Sequence, residues 1–241
     1  MGRREGLHLA LAVAIVTLTI LAGGGTPLDA GRPGVAAHVP SRPLSVDGTR
    51  ATSPPPPFPT PIRHVVEVFL ENDGLSQVLA HAPFETHLWN TYAHATAFYG
   101  LCHPSLGNYI SATSGTATGC GGDNYEIYDL ANIADLVNAH GLSWMSFAEN
   151  MSAPCSSQNS TVFSNVFTPL LHYHDIVGDP SYCAAHIQPV TPGSAWYQDI
   201  NGTMPNFVWY APNKIDNGHS SNLTVGDTWL ENWLSPLLNA S

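Results

Sequence analysis

Apolar and polar residues follow one another along the chain in a pattern that predicts alternating strands and helices from residue 62 onward. The β-branched apolar run HVVEVFLEN at residues 64–72 predicts a buried strand. Three more strands are predicted by ATAFYGL at 95–101, LSWMSFAE at 142–149 and NFVWYAP at 206–212.

Two segments have the spacing of amphipathic helices. Residues 129–141, DLANIADLVNAHG, have Asp129 as the expected N-cap and Gly141 as the expected stop. The predicted buried face of this helix consists of Leu130, Ile133, Ala134, Leu136 and Val137. The last segment, GDTWLENWLSPLL, clusters Trp229, Leu230 and Trp233, which we expect to pack in the core.

Strands that alternate with helices indicate an α/β fold, expected as a three-layer sandwich around a mostly parallel sheet. In such sheets, ligands bind beyond the carboxyl ends of the strands. Residues 71–72 follow one predicted strand, and residues 103–105 follow another. These two distant segments are therefore predicted to lie on the same rim and to share one site.

The first 61 residues differ in composition from the rest. Arg3 and Arg4 precede an apolar run, so residues 1–22 are predicted to be a signal peptide, with a retained N-terminal membrane anchor as the alternative. Residues 23–61 are rich in Pro, Gly, Ala and Ser and predict an extended linker. We expect the folded domain at 62–241 and a secreted or extracytoplasmic protein, or one tethered to the membrane by its N-terminal segment.

Charge is unevenly distributed between the two parts of the chain. Only Arg63 and Lys214, of seven Lys and Arg residues, follow residue 61, whereas 15 of the 18 Asp and Glu residues do. This excess of negative charge argues against nucleic-acid binding, which needs a basic face. An anionic substrate would need another source of positive charge, and a divalent metal ion is the natural candidate.

Four cysteines behind an export signal predict two disulfides. Three pairings are open, and the modest loop lengths favour Cys102–Cys120 with Cys155–Cys183. Five glycosylation sequons, at Asn150, Asn159, Asn201, Asn222 and Asn239, agree with an exterior location.

Two polar clusters are candidates for chemistry near the first two predicted strands. Glu71 and Asn72 offer hard oxygen ligands to a metal ion, although ENDG is also a common turn sequence. Ser105 precedes a predicted helix whose free N–H groups suit a phosphate, and Asn108, one turn on, offers its amide to the same phosphate. The alternative for Ser105 is a plain N-cap.

Two further clusters lie later in the chain. Asp216, Asn217 and His219 follow a predicted strand, where they either complete a metal site or form an ordinary turn. His172 and His174 would lie on one side of an extended segment. There they would donate hydrogen bonds to phosphate, act as acid catalysts or form polar surface.

Six segments occur in the order seen in secreted bacterial and fungal phosphoesterases: RHVVEVFLEN, FYGLCHPSLGNYISATSG, LSWMSFAENMSAPC, CAAHIQP, MPNFVWYAPN and VGDTWL. Over residues 62–238 the chain resembles the acid phosphatase/phospholipase C family. The resemblance implies an alkaline-phosphatase-like fold with a serine nucleophile at a helix start that also ligates a metal. It therefore points to Ser105 as nucleophile and metal ligand, Asn108 as phosphate contact, and Glu71, Asn72 and Asp216 as metal ligands.

The chain departs from the family pattern at four positions. Asp73 and Phe167 each replace a histidine, and Cys102 replaces a threonine. Gly107 replaces a proline, which we expect to loosen the helix start.

The function that follows from the resemblance is metal-dependent hydrolysis of small phosphate monoesters through a phosphoserine at Ser105. The histidine that protonates the leaving group is one of His103, His172, His174 and His219. One alternative is phospholipase C-type cleavage of a phospholipid diester. The other is a noncatalytic exported binding module, which Phe167 favours.

Overall fold

The computed structural model describes residues 62–193 and 204–238, together with the backbone of residues 11–17. The predicted linker at 23–61, the rest of the predicted signal and the sequons at Asn201 and Asn239 lie outside the described residues. None of the described helices combines the length and apolarity needed to cross a bilayer.

The described strands form one parallel sheet with the order β1-β2-β5-β3-β4. They are β1 (Leu11–Thr17), β2 (His64–Leu70), β3 (Trp144–Glu149), β4 (Ile187–Val190) and β5 (Phe207–Ala211). All five residues of the central strand β5 are buried, because both faces of the sheet are covered. The strands predicted near residues 64, 144 and 207 are confirmed.

Strand β1 comes from the apolar run of the predicted signal. It pairs in parallel with β2, with Leu11 opposite His64 and Thr17 opposite Leu70. An uninterrupted apolar run suits a sheet strand as well as the core of an export signal, and the pattern alone does not separate the two. Removal of a signal would leave β2 as the edge of the sheet.

The helices lie on both sides of the sheet. The α-helices are α1 (Leu75–His81), α2 (Pro83–Thr91), α3 (Leu106–Ser114), α4 (Ile133–Ala139), α5 (His174–Val177), α6 (Pro180–His186) and α7 (Leu223–Leu238). Two 3₁₀ turns, Asn165–Phe167 and Pro169–His172, precede α5.

Two separate apolar clusters show that the sandwich has three layers. Phe69 and Trp209 pack with Tyr109 of α3 in one cluster. Val68 and Tyr210, from the same two strands, pack with residues of α7 in the other. Because successive strand residues point to opposite faces, these clusters lie on the two sides of the sheet. The predicted α/β sandwich is confirmed, and so is the core position of the α7 tryptophans.

The strand predicted at residues 95–101 is wrong. This segment is an exposed loop, in which Phe98 is 51% and Leu101 is 64% exposed. Its last N–H, that of Leu101, donates to the Asn108 side chain rather than to a neighbouring strand. An apolar composition alone predicted a strand here, although no layer covers the segment.

The helix predicted at 129–141 is shorter than expected. It begins at Ile133 and is capped by Asn132, whose side chain accepts a hydrogen bond from Ala134 N. The expected N-cap, Asp129, lies before it, and Leu136 is 59% exposed instead of buried. Gly141 follows the helix with a φ of 67°, which fits its predicted role as the stop.

Both favoured disulfides are present, Cys102–Cys120 and Cys155–Cys183. Paired cysteines are typical of proteins that fold in an oxidising compartment. The Cys102–Cys120 bridge is important for the site, because it joins the loop before α3 to the loop after it.

Candidate active site

The carboxyl end of β2 places a buried carboxylate on the rim of the sheet. Glu71 directly follows the strand and is 2% exposed. Its N–H donates to the backbone oxygen of Asn217 at 2.8 Å, which ties β2 to the loop after β5. Asn72 has a φ of 69°, and its Nδ2 donates to the His219 backbone oxygen at 3.5 Å. The structure thus brings the segments containing Glu71 and His219 together.

Both oxygens of the Glu71 carboxylate accept hydrogen bonds from α3. The Ser105 hydroxyl donates to Oε2 at 3.1 Å, and the Tyr109 hydroxyl donates to Oε1 at 2.7 Å. Residues four apart lie on the same face of a helix, so Ser105 and Tyr109 reach the carboxylate together. Tyr109 was missed in the sequence, although this spacing within SLGNY was visible.

Burial sets the acidity of this cluster. It raises the pKa of Glu71 to about 6, against the opposing hydrogen bonds from Tyr109 and Ser105. Burial and the Glu71 charge together raise the pKa of Tyr109 well above its usual value. Among the described residues, no Lys, Arg or His forms an ion pair with Glu71, and Lys214 Nζ donates to the Ser160 backbone oxygen instead. The buried Glu71 carboxylate therefore has no cationic partner in the described part of the chain.

Asp123 is a site residue that sequence reasoning missed. Its Oδ1 accepts a hydrogen bond from Leu106 N at 2.8 Å, beside Ser105 at the start of α3. The Asp123 charge also raises the pKa of Glu71 and acts on that of His219. The signal was indirect: the predicted Cys102–Cys120 bridge brings residue 120, and with it Asp123, close to the segment that contains Ser105.

Asn108 was predicted to contact phosphate, but in the structure its side chain bonds to the backbone of the preceding loop. Its Oδ1 accepts from Leu101 N at 2.6 Å and from Cys102 N at 2.8 Å, and its Nδ2 donates to Cys102 O at 2.9 Å. In the structure, Asn108 shapes the loop that leads into Ser105. A contact with phosphate remains a prediction.

Residues 62–241 match the sequence model of a family described as "Phosphoesterase family". The chain belongs to this phosphoesterase family.

Three relatives of this chain are named as phosphatases, and the match covers only part of each of them. The chain is 26% identical over 157 residues to an acid phosphatase of Aspergillus fumigatus, covering 61% of this chain and 34% of that protein. It is 26% identical over 154 residues to a phosphate-repressible acid phosphatase of Penicillium chrysogenum, covering 59% and 36%. A phosphatidylinositol-3-phosphatase of Mycobacterium tuberculosis is 25% identical over 182 residues, covering 73% and 58%. The chain thus spans about a third of the length of the fungal relatives it matches.

In this phosphoesterase domain, the four candidate histidines have different positions. His219 is exposed beside Asn72, with its ring centroid 5.6 Å from that of Phe167. Burial, and then the charge of Lys214, lower the pKa of His219. His103 is exposed in the loop two residues before Ser105.

The other two histidines lie elsewhere. His172 is fully buried, with Nδ1 2.8 Å from Glu126 O and Nε2 3.2 Å from Asn165 O, so it is a structural core residue. His174 opens α5 next to Tyr173, whose hydroxyl contacts Thr113 at the far end of α3. Thr113 follows Ser105 by eight positions, about 12 Å along the helix axis. The segment is not an extended strand; His172 uses both ring nitrogens on backbone oxygens, and the residue before His174 contacts the end of α3 away from Ser105, which favours His103 and His219 as the acid.

Asp216 lies in a separate group of polar residues around Glu149, and its carboxylate is directed there rather than toward Glu71. Its Oδ2 accepts from Asn213 Nδ2 at 2.6 Å, and the same Nδ2 lies 3.1 Å from Glu149 Oε2. Glu149, at the end of β3, is fully buried, and its pKa is raised to about 7, chiefly by burial. We call Glu149, Asn213 and Asp216 the Glu149 cluster.

The donor atoms around Ser105 suit a hard divalent cation in part. Carboxylate, amide and hydroxyl oxygens of Glu71, Asn72 and Ser105 come from one corner of the rim, and Glu71 lacks a cationic partner among the described residues. The described residues contain no cluster of three or more His, Cys, Asp or Glu arranged to hold a metal. The predicted set includes only two such residues, and of these Asp216 faces Asn213.

Proposed function

We propose that this phosphoesterase domain hydrolyses phosphate monoesters with Ser105 as the nucleophile. The observation that carries the proposal is the hydrogen bond from the Ser105 hydroxyl to the buried carboxylate of Glu71. A serine that only begins a helix turns its hydroxyl to the helix N–H groups, whereas Ser105 makes no such bond. The hydroxyl is oriented where the carboxyl end of β2 meets the N-terminus of α3.

In the first step of this reaction, Ser105 Oγ bonds to phosphorus while the bond from phosphorus to the leaving oxygen breaks. Glu71 orients the Ser105 hydroxyl through its hydrogen bond and takes up the hydroxyl proton as the bond to phosphorus forms. His219 is the better placed of the two remaining histidines to protonate the leaving oxygen, with His103 as its alternative. Water then attacks phosphorus, inorganic phosphate is released, and Glu71 returns the proton to Ser105 Oγ.

Glu71, Asn72 and Ser105 are the residues that would hold a divalent cation. When bound there, a cation would supply the positive charge that the two basic residues of the domain, Arg63 and Lys214, do not bring to the site. Its binding would also remove the cost of a buried, unpaired Glu71 carboxylate.

A phospholipid is the second candidate substrate. Phe98, Tyr99 and Leu101 are 51–64% exposed on the loop that leads into Ser105, so this loop offers apolar surface close in sequence to the hydroxyl. A lipid leaving group would use them. Rates on p-nitrophenyl phosphate, a lipid phosphomonoester and phosphatidylcholine separate monoester from phospholipase C-type diester cleavage.

The test is the pair Ser105→Ala and Ser111→Ala, assayed with p-nitrophenyl phosphate after chelation and after return of Mg²⁺, Mn²⁺, Ca²⁺ or Zn²⁺. Ser111 lies on the same helix, but its hydroxyl donates to Gly107 O. We expect Ser105→Ala to lower kcat by about 10³-fold or more. Ser111→Ala should keep near-normal turnover, and the circular dichroism spectra should agree.

Substantial turnover by Ser105→Ala would overturn the nucleophile. Phosphate binding in calorimetry, without turnover under any of the four metals, would instead indicate the noncatalytic module. Phe167 is compatible with that outcome, because it fills the space beside His219 with an apolar ring.

A further inference from the structure

The first turn of α3 is capped by a residue from another loop. Ser105 holds the N-cap position with a helical φ of −71° and ψ of −35°, and its side chain makes no cap hydrogen bond. The usual N-cap residue is extended and accepts from the helix N–H groups. Here the acceptor is Asp123 Oδ1, 2.8 Å from Leu106 N and 17 residues further along the chain.

Two local constraints bring Asp123 to this position. The Cys102–Cys120 bridge ties the loop of Asp123 to the segment before Ser105, with a Cα separation of 5.1 Å. Gly107 allows the close approach, since a Cβ there would lie 2.6 Å from Gly119 O. The glycine that we expected to loosen the helix start therefore makes room for the capping loop.

We infer that Asp123 is a positioning residue: by accepting from Leu106 N it fixes the peptide after Ser105, which holds Ser105 in its helical conformation and leaves its hydroxyl on Glu71. The reactive role of that hydroxyl rests on the proposed function, whereas its orientation does not. An ordinary N-cap serine is extended, and its oxygen accepts from the second or third N–H of the helix. Without Asp123 the peptide after Ser105 is free to turn, and Ser105 can adopt that conformation. The contact between Ser105 Oγ and Glu71 Oε2 is then lost.

Asp123 also brings a negative charge to the place where a phosphate would meet the helix. Its two effects are separable by substitution. Asp123→Asn keeps an acceptor for Leu106 N and removes the charge, whereas Asp123→Ala removes both. Loss of the cap lowers kcat, and loss of the charge lowers KM, because the phosphate is no longer repelled.

The experiment compares these two variants with Asp179→Ala in steady-state assays on p-nitrophenyl phosphate. Asp179 caps α6 by accepting from Ser181 N and Tyr182 N, so its loss costs a similar cap away from Ser105. We expect Asp123→Ala to lower kcat about tenfold, a factor that corresponds to the usual free-energy cost of losing one helix cap. Asp123→Asn should keep kcat within about twofold and lower KM, and Asp179→Ala should lower Tm alone.

A crystal structure of Asp123→Ala gives a readout that needs no turnover. We expect Ser105 Oγ to accept from the N–H of Gly107 or Asn108 and to leave Glu71. If Oγ stays on Glu71, the inference is wrong even where activity falls. If the rotamer changes but the parent protein shows no Ser105-dependent turnover, the proposed function fails and the inference stands. Should Asp123→Ala not fold, Asp123→Leu, of similar size and without an acceptor, takes its place in both measurements.

Discussion

Two buried glutamates lie at the carboxyl ends of strands in the sheet and differ in their hydrogen-bond donors. Glu71 follows β2, Glu149 ends β3, and β5 runs between these strands. Burial raises the pKa of both, to about 6 for Glu71 and about 7 for Glu149. Burial and a shifted pKa are therefore common to the two positions and do not distinguish a site from a structural group.

The hydrogen-bond donors make the distinction. Glu149 Oε1 accepts from Tyr210 OH, Trp229 Nε1 and Gly193 N, and Oε2 accepts from the backbone and side chain of Asn213. Most of these donors are N–H groups fixed by the core, and none is a nucleophile at neutral pH. Glu71 instead accepts from two hydroxyls, one of them the aliphatic hydroxyl of Ser105. Of the two carboxylates, only Glu71 has a neighbour able to attack phosphorus.

The largest expected effect is on turnover. Glu71→Gln should lower kcat/KM by about 10²-fold or more, because the amide has one acceptor oxygen for the two hydroxyls of Ser105 and Tyr109 and no charge to balance a cation. Glu149→Gln, the matched change at the neighbouring strand, should stay within about threefold of the parent. Steady-state kinetics on p-nitrophenyl phosphate, corrected for the folded fraction, provide the comparison. Equal losses in the two variants would contradict the functional difference.

The second effect is on stability, where the Glu149 variant should lose more than the Glu71 variant. Glu149→Ala removes the carboxylate that accepts from Tyr210 OH, Trp229 Nε1 and the backbone N–H of Asn213, which should cost about 3 kcal/mol or more. Glu71→Ala frees two hydroxyls, which can donate elsewhere by rotation, and should cost about 1 kcal/mol. Urea denaturation of metal-free protein measures both. A Glu71 variant that is the less stable of the two would show that Glu71 is the structural residue.

Local patterns in the sequence predicted the parts of the fold that depend on local physics. The β-branched run before Glu71 and the run before Glu149 both predict buried strands, and loop length favoured the disulfides that form. Alternation of strands and helices placed Glu71 and Ser105 on one rim, and the two side chains are in contact. The predicted strand before Ser105 was wrong, yet the loop in its place delivers Ser105 to the same rim.

Side-chain orientation depends on long-range packing and was not predictable. Asp216 follows a strand as a rim ligand would, but Asn213 holds its carboxylate toward Glu149. Asn108 is one turn from Ser105, but the preceding loop uses its amide. The role of Leu11–Thr17 in the sheet was also missed, because an apolar run fits a strand and an export signal equally well.

The smallest expected effect is the pH dependence of stability. A carboxyl whose pKa is raised on folding binds more protons in the native state than in the unfolded state. The free energy of unfolding therefore falls as pH rises, from the unfolded pKa near 4.5 to about 7 for Glu149 and about 6 for Glu71.

Glu149→Gln should reduce the pH dependence of the unfolding free energy more than Glu71→Gln, because the native pKa of Glu149 is higher than that of Glu71. Glu67, whose pKa burial also raises to about 7, leaves a residual slope in both variants. Urea denaturation between pH 4.5 and pH 8, with a chelator present, gives the three curves. Since a bound cation would lower the pKa of Glu71 and not that of Glu149, adding the activating metal should remove only the Glu71 contribution. A slope that the metal leaves unchanged would place the cation away from Glu71.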